Sequence, residues 1–215
     1  MSISFDMEGH VLVAPDWLGE NLQDPKRIVF SALLRGTPHA FPTLEQYRLF
    51  VQLLCSELYI HEANIVIRGS GHLGFSFSPK RYPSLFRRKP SPKNKRSDLD
   101  IAIVDPSFFE RIDSEIRHWE LLDEYLETVD IRENLKNLRL CRHDRMHNVY
   151  KSWRFPLTPT CKLLQERLSH IDTTLYCGDP HTLTAWVFRD WTSITNRWLY
   201  DLKDLEKALE HAHAL

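Results

Sequence analysis

The chain of 215 residues lacks the features that mark membrane-spanning and exported proteins. It contains no run of eighteen apolar residues, which a membrane-spanning helix requires. Its first residues, MSISFDMEGH, carry neither the basic segment nor the apolar stretch of a secretory signal. The four cysteines are far apart and form no C-x-x-C pair. We therefore expect reduced thiols and a cytoplasmic protein with no membrane partner.

Acidic residues are missing from one proline-rich segment, residues 80–96. This basic segment holds eight of the chain's 28 lysines and arginines and none of its 29 acidic residues, although the formal net charge of the whole chain is only −1. Its prolines exclude regular structure, so it is predicted to be a loop. Concentrated positive charge favours a local anionic partner such as RNA or another acceptor. An inert surface insertion is the alternative.

Strand and helix patterns alternate along the rest of the chain and predict a single domain of the α+β class. Runs of β-branched and apolar residues predict strands at 63–68, 99–104 and 181–188. Helical spacing of apolar residues, with capping-box patterns at Thr43/Gln46 and Ser107/Glu110, predicts helices that begin at these caps and others at 131–150, 160–171 and 192–212. We expect a small mixed sheet flanked by helices. Its core is about 40–130 plus strand 181–190, with helical additions at 131–180 and 191–215.

Glycine is scarce, seven residues in all, yet three glycines cluster between Gly69 and Gly74, directly after the strand at 63–68. Two interpretations compete. A G-x-G-x-x-G pattern indicates a dinucleotide-binding turn, but that turn must open a helix, and Pro79 leaves room for only a very short one. The pattern Gly69-Ser70-xxx-Gly74 instead indicates a turn whose backbone amides and hydroxyl cradle a phosphate.

Two aspartates, Asp98 and Asp100, lie at the start of the strand at 99–104. Side chains two residues apart in a strand point to the same face, so these carboxylates are expected to project together. Neighbouring carboxylates repel each other unless a cation neutralises them. Mg²⁺ binds through one or two carboxylates plus phosphate oxygens. The sequence therefore predicts that the pair holds Mg²⁺ (or Mn²⁺), and two solvated side chains are the alternative.

Taken together, Gly69-Ser70-xxx-Gly74 and the sequence SDLDIA at 97–102 resemble the signature of the polymerase-β-like nucleotidyltransferase superfamily. In that family the Gly-Ser turn binds a nucleoside triphosphate (NTP), and the Asp-x-Asp pair binds two Mg²⁺ ions. The resemblance implies transfer of a nucleoside monophosphate to a hydroxyl group on an RNA end, a nucleotide or a protein. The small size of the chain suggests, by analogy alone, a bacterial toxin or phage-defence enzyme.

The resemblance also implies roles for individual residues. Asp98 and Asp100 would be the catalytic metal ligands, and a third catalytic carboxylate is expected from a later strand. Asp190, just after the strand at 181–188, is the best candidate for it, ahead of Asp130 and Asp179. The implied nucleotide contacts are Gly69, Ser70, His72, Gly74, Arg96 and Ser97.

Two further hypotheses stay open. Ser70 and Asp98 are 28 positions apart, further than the family's usual spacing, so the basic segment is interpreted as an insertion. Without a third carboxylate, the chain would be a non-catalytic module that binds nucleotides or nucleic acid. A dinucleotide-dependent oxidoreductase is the third hypothesis. The sequence leaves the oligomeric state open.

Overall fold

The computed structural model describes residues 4–12, 15–76, 78–79, 82–86, 97–123, 144–152 and 158–213. Its strands are β1 (Ser4–Phe5), β2 (Val11–Leu12), β3 (Ile65–Arg68), β4 (Leu99–Val104), β5 (Val149–Lys151) and β6 (Leu183–Phe188). Its α-helices are α1 (Pro15–Glu20), α2 (Pro25–Ile28), α3 (Leu44–Leu58), α4 (Ser70–Leu73), α5 (Pro106–Asp123), α6 (Pro159–Ser169), α7 (Thr174–Cys177) and α8 (Trp191–His213). A π-helix (Val29–Leu33) continues α2, and a 3₁₀ turn (Glu62–Asn64) precedes β3.

The central sheet has four strands in the order β3-β4-β6-β5, while β1 and β2 form a separate antiparallel pair. Strand β4 runs antiparallel to β3 and parallel to β6, and β5 runs antiparallel to β6. The register places Arg68 opposite Asp100 on one side of β4 and Thr184 opposite Asp100 on the other. The predicted fold, an α+β domain with a small mixed sheet, flanking helices and a C-terminal helix, is confirmed.

Each face of the sheet packs against its own set of helices. Because side chains alternate along a strand, Leu99, Ile101 and Ile103 point to one face, where helices α3, α5 and α6 cover them. Ala102 and Val104 point to the other face, which α8 and the π-helix cover. Full burial of an aliphatic or aromatic side chain stabilises the fold by about 1.5–3 kcal/mol. Asp100 begins the row on the α8 side, beside this second core.

Most of the predicted elements are confirmed, and some have different bounds. Strand β4 has the predicted bounds, and the hydroxyl of Thr43 accepts a hydrogen bond from the N–H of Gln46 at the start of α3 (3.2 Å). Helix α5 is capped by Asp105, whose carboxylate accepts from the N–H of Phe108 (2.9 Å), and not by Ser107. Asp105 is the residue directly before the helix, so its carboxylate, and not the hydroxyl of Ser107, accepts the hydrogen bond of the N-cap.

The helix predicted at 131–150 is wrong at its C-terminal end, and residues 124–143 lie outside the described ranges. Residues 149–151 form β5, an edge strand of the same sheet, and Tyr150 is fully buried. The predicted helical addition therefore contributes a strand to the core. The three cysteines among the described residues, Cys55, Cys161 and Cys177, form no disulfide. Within the same ranges, no helix is both long enough and apolar enough to cross a membrane.

Candidate functional site

A cleft of about 410 Å³ opens where β3 ends and β4 begins. It lies on the α8 side of the sheet, since Asp100 and residues of α8 both line it. Two predicted features, the Gly-Ser turn and one aspartate of the pair, come together here. The lining residues are Arg68, Gly69, Ser70, Ser76, Ser78, Pro79, Ser84, Leu85, Ser97, Asp100, Trp186, Arg197 and Asp201.

The Gly-Ser turn and Asp100 are in close contact. Gly69 has φ +66° and ψ −145°, a backbone conformation that glycine adopts far more easily than other residues. A β-carbon at this position would lie 3.3 Å from Oδ2 of Asp100. The other carboxylate oxygen, Oδ1, accepts a hydrogen bond from the hydroxyl of Thr184 (2.5 Å). Glycine is therefore needed here both for the turn and for the approach of the carboxylate.

The dinucleotide interpretation is wrong on geometric grounds. Helix α4 ends at Leu73 after four residues, and the next strand of the sheet, β4, runs antiparallel to β3. A dinucleotide fold needs a parallel strand–helix–strand unit with the pyrophosphate at the start of a full helix.

Asp98 and Ser97 lie directly before β4. The side chain of Asp98 is exposed at the rim, outside the residues that line the cleft, while Ser97 lines it. The carbonyl of Ser97 accepts a hydrogen bond from Nδ1 of His181 (2.9 Å), and this ring stacks on Phe86 with centroids 5.1 Å apart. These contacts fix the chain that enters β4. Arg96, the remaining predicted contact on this side, lies outside the described residues, as does most of the basic segment.

His72 does not reach the cleft, contrary to the prediction. Its side chain is only 3% exposed, and Nε2 donates a hydrogen bond to the carbonyl of Ala32 (2.8 Å). Burial lowers the pKa of His72 to about 4, so its imidazole is neutral at pH 7. The residue ties α4 to the π-helix and has a structural role.

Gly74 also stabilises the turn without lining the cleft. It ends α4 in the left-handed conformation (φ +83°), where its N–H donates to the carbonyl of Ser70 (2.9 Å). Its carbonyl accepts from the N–H of Phe86 (2.7 Å), and a β-carbon would lie 3.2 Å from the ring of His39. Gly74 thus shapes the segment behind the Gly-Ser turn.

Asp190 is not the third carboxylate of this site. It caps α8, where its carboxylate accepts from the N–H and the hydroxyl of Ser193 (both 2.7 Å). Thr184, the residue of β6 that faces Asp100, lies six positions earlier. Since a strand rises about 3.3 Å per residue, the four steps from Thr184 to Phe188 at the end of β6 span about 13 Å, and Asp190 follows beyond that end. Of the weaker candidates, Asp130 lies outside the described residues, and Asp179 is not among the residues that line the cleft.

A carboxylate that the sequence did not indicate, Asp201, lies in the cleft. It pairs with Arg197 one turn earlier on α8 (Nη2 to Oδ1, 2.7 Å) and with Arg68 at the end of β3 (Nη2 to Oδ2, 3.4 Å). The guanidinium of Arg68 lies 3.9 Å from the ring centroid of Trp186. Burial lowers the pKa of Arg68, and the carboxylates of Asp201 and Asp100 act in the opposite direction. The i, i+4 spacing of Arg197 and Asp201 was the only signal in the sequence.

The donor set fits one divalent cation better than two. Asp100, Asp98 at the rim and the phosphate oxygens of a bound nucleotide would supply the oxygen ligands that Mg²⁺ prefers. A second ion would need a further carboxylate, and the neighbouring position on β6 holds the hydroxyl of Thr184. Across the part of the chain that the structure describes, no three aspartate, glutamate, histidine or cysteine side chains form a group that could hold a metal ion.

No protein-family model matches the chain, and no curated protein or solved structure matches it either. The functional interpretation therefore depends on the residues of the cleft.

Proposed function

We propose that the chain is a nucleotidyltransferase of the polymerase-β type that binds an NTP in this cleft. The observation that carries the proposal is the contact between the phosphate-type turn and the acidic strand. Gly69 and Asp100 are so close that a β-carbon on the glycine would lie 3.3 Å from the carboxylate. A triphosphate held by the turn would thus lie beside a carboxylate that can bind its counter-ion.

Each residue of the cleft has a role in this proposal. The backbone of Gly69 and the hydroxyl of Ser70 hold phosphate oxygens. Asp98 and Asp100 hold Mg²⁺ or Mn²⁺, which when bound supplies positive charge that stabilises the negative charge developing on the phosphate. The oxygen of an acceptor hydroxyl forms a bond to the α-phosphorus, the bond to pyrophosphate breaks, and the hydroxyl proton passes to solvent.

The acceptor and the cellular setting belong to the same proposal. The acceptor is a hydroxyl group of an RNA end, a nucleotide or a protein, and the basic segment at 80–96 is where an RNA would bind. Cysteines outside disulfides, as the three in the described ranges are, are typical of cytoplasmic proteins, and this supports a cytoplasmic location. The analogy with toxin and phage-defence transferases rests on chain length alone.

A second candidate, a module that binds NTPs without transferring them, is favoured by Thr184. This residue provides a hydroxyl at the position of β6 next to Asp100, where a third carboxylate would have completed a two-metal site. One metal suffices for binding a nucleotide, since Mg²⁺ often binds through few carboxylates plus substrate phosphates. The two candidates therefore share a binding site and differ only in turnover.

The test is transfer from labelled NTPs to RNA, nucleotide and protein acceptors with Mg²⁺ or Mn²⁺, accompanied by calorimetry of NTP binding. The wild type is compared with Asp100→Asn, and Asp172→Asn, an exposed aspartate outside the cleft, is the matched control. Transfer by the wild type and the control but not by Asp100→Asn supports the transferase. Equal transfer by all three proteins contradicts it. Tight NTP binding without transfer to any acceptor supports the second candidate.

A further inference from the structure

Arg68 is a buried cation with unused hydrogen-bond donors. Arg68 is only 6% exposed, yet its Nε and Nη1 atoms have no hydrogen-bond partner among the described residues. Buried polar groups are nearly always hydrogen-bonded, and an unpaired buried charge is costly. Arg68 also lines the cleft and lies next to Gly69 in the sequence. Arg68 therefore borders the cleft that Gly69 and Ser70 also line.

Within the described ranges, Arg68 makes one ion pair, which is long and shared. Its Nη2 lies 3.4 Å from Asp201, whereas Nη2 of Arg197 lies 2.7 Å from the same carboxylate. The ring of Trp186 supports the guanidinium from one side at 3.9 Å. A planar guanidinium held in this way keeps its fork of N–H donors available for a second anion. Asp201 can stay paired with Arg197 when such an anion arrives.

We propose that Arg68 and Arg197 form an anion subsite that binds terminal phosphate oxygens of the nucleotide, and that these oxygens displace Asp201 from Arg68. The inference rests on the proposed function for the nature of the ligand. The charges of the cleft determine which residues attract the cation and which attract the phosphates. Asp98 and Asp100 attract the cation, while Arg68 and Arg197 attract the phosphates, and Asp201 is the internal carboxylate that occupies the phosphate subsite before a ligand binds.

A purely structural role for Arg68 makes a different prediction. As a counter-ion for Asp100 and Asp201 only, Arg68 would affect folding, and removing Asp201 would leave phosphate binding unchanged or weaker. In an exchange site, Asp201 competes with the ligand, so removing its charge must strengthen phosphate binding. Substitutions of the two partners are then expected to act in opposite directions.

The experiment is calorimetric titration with inorganic tripolyphosphate in the absence of divalent cations. The proteins are the wild type, Arg68→Met, Asp201→Asn and the control Arg189→Met, an exposed arginine outside the cleft. Loss of charge-assisted hydrogen bonds predicts that Arg68→Met binds about 10- to 100-fold more weakly. Loss of a partly exposed competing ion pair predicts that Asp201→Asn binds roughly two- to fivefold more tightly. The control is expected to match the wild type.

Three results would overturn the inference: no tripolyphosphate binding by the wild type, equal binding by Arg68→Met, or equal or weaker binding by Asp201→Asn. Thermal unfolding of each variant shows whether it is folded, and the Asp201→Asn result is decisive even where Arg68→Met is unstable. Tripolyphosphate carries no nucleoside to transfer. A chain that shows the opposite effects of the two substitutions but never transfers a nucleotide would retain the anion subsite and lose the proposed transferase activity.

Discussion

Replacing Gly69 by alanine tests the contact on which the proposed site depends. The φ and ψ angles of this residue, +66° and −145°, fall in a region that residues with a β-carbon rarely occupy. The added methyl group would also lie 3.3 Å from Oδ2 of Asp100, closer than an ordinary van der Waals contact. The carboxylate cannot retreat freely, because its other oxygen accepts a hydrogen bond from Thr184.

The expected cost follows from these two effects. Backbone strain of this kind costs about 1–3 kcal/mol, and alanine regains about 0.4–1 kcal/mol by restricting the unfolded chain. The displaced carboxylate adds to the cost, so we expect Gly69→Ala to lower the free energy of unfolding by about 1–3 kcal/mol. Gly178 provides the matched control, since it has φ +77° and a β-carbon added there would meet no atom within 4 Å. Its left-handed conformation predicts a cost of about 1 kcal/mol or less for Gly178→Ala.

Urea unfolding measures both costs, and calorimetry with an NTP and Mg²⁺ measures the effect on the site. We expect Gly69→Ala to weaken nucleotide binding because it moves Asp100, and Gly178→Ala to leave binding unchanged. If the two variants were equally stable and bound nucleotide equally well, the close contact between the turn and the carboxylate would have no consequence. The proposed phosphate turn would then lose its main support.

Three further predictions concern single side chains. Burial lowers the pKa of His72 to about 4, whereas an unfolded histidine has a pKa near 6.5. The unfolded chain therefore binds more protons as the pH falls, and the free energy of unfolding should drop by roughly 3 kcal/mol between about pH 6.5 and pH 4. Urea unfolding across this range should show a shallower decline for His72→Gln than for the wild type. Asp113→Ala should cost about 2–4 kcal/mol in the same assay, because this buried carboxylate accepts hydrogen bonds from a buried tyrosine and two arginines; a cost near zero would contradict the buried network. Thr184→Val should cost about 1–2 kcal/mol in thermal or urea unfolding, since it removes the hydroxyl that donates to Asp100, whereas the exposed Thr182→Val is expected to be nearly neutral.

The elements that local sequence determines were predictable. Strand β4 was predicted with its true bounds because an apolar run begins after Asp98 and ends at a proline, Pro106. The meeting of the Gly-Ser turn with Asp100 was also predictable, since both belong to successive apolar strands of one small sheet. In both cases a few neighbouring residues carry the information.

Features that depend on tertiary packing were not predictable. Strand β5 has only three residues and is a strand because it pairs with β6, which local propensity does not record. Whether the side chain of His72 points into the core or into the cleft depends on how helix α4 packs. A helix of four residues is too short for an apolar periodicity that would predict this direction. Asp201 enters the cleft because of the angle at which α8 crosses the sheet, and nothing within α8 fixes that angle.

The charges of the cleft connect the proposed function with the further inference. Among the described residues that line the cleft, the positive charges of Arg68 and Arg197 balance the negative charges of Asp100 and Asp201. In the proposed site, Asp201 yields its place on Arg68 to the triphosphate, and a cation at Asp100 strengthens this binding further. A third carboxylate at Thr184 would add another negative charge beside the phosphates and would require a second cation. The threonine hydroxyl is therefore consistent with a site that binds its nucleotide through one metal ion and two arginines.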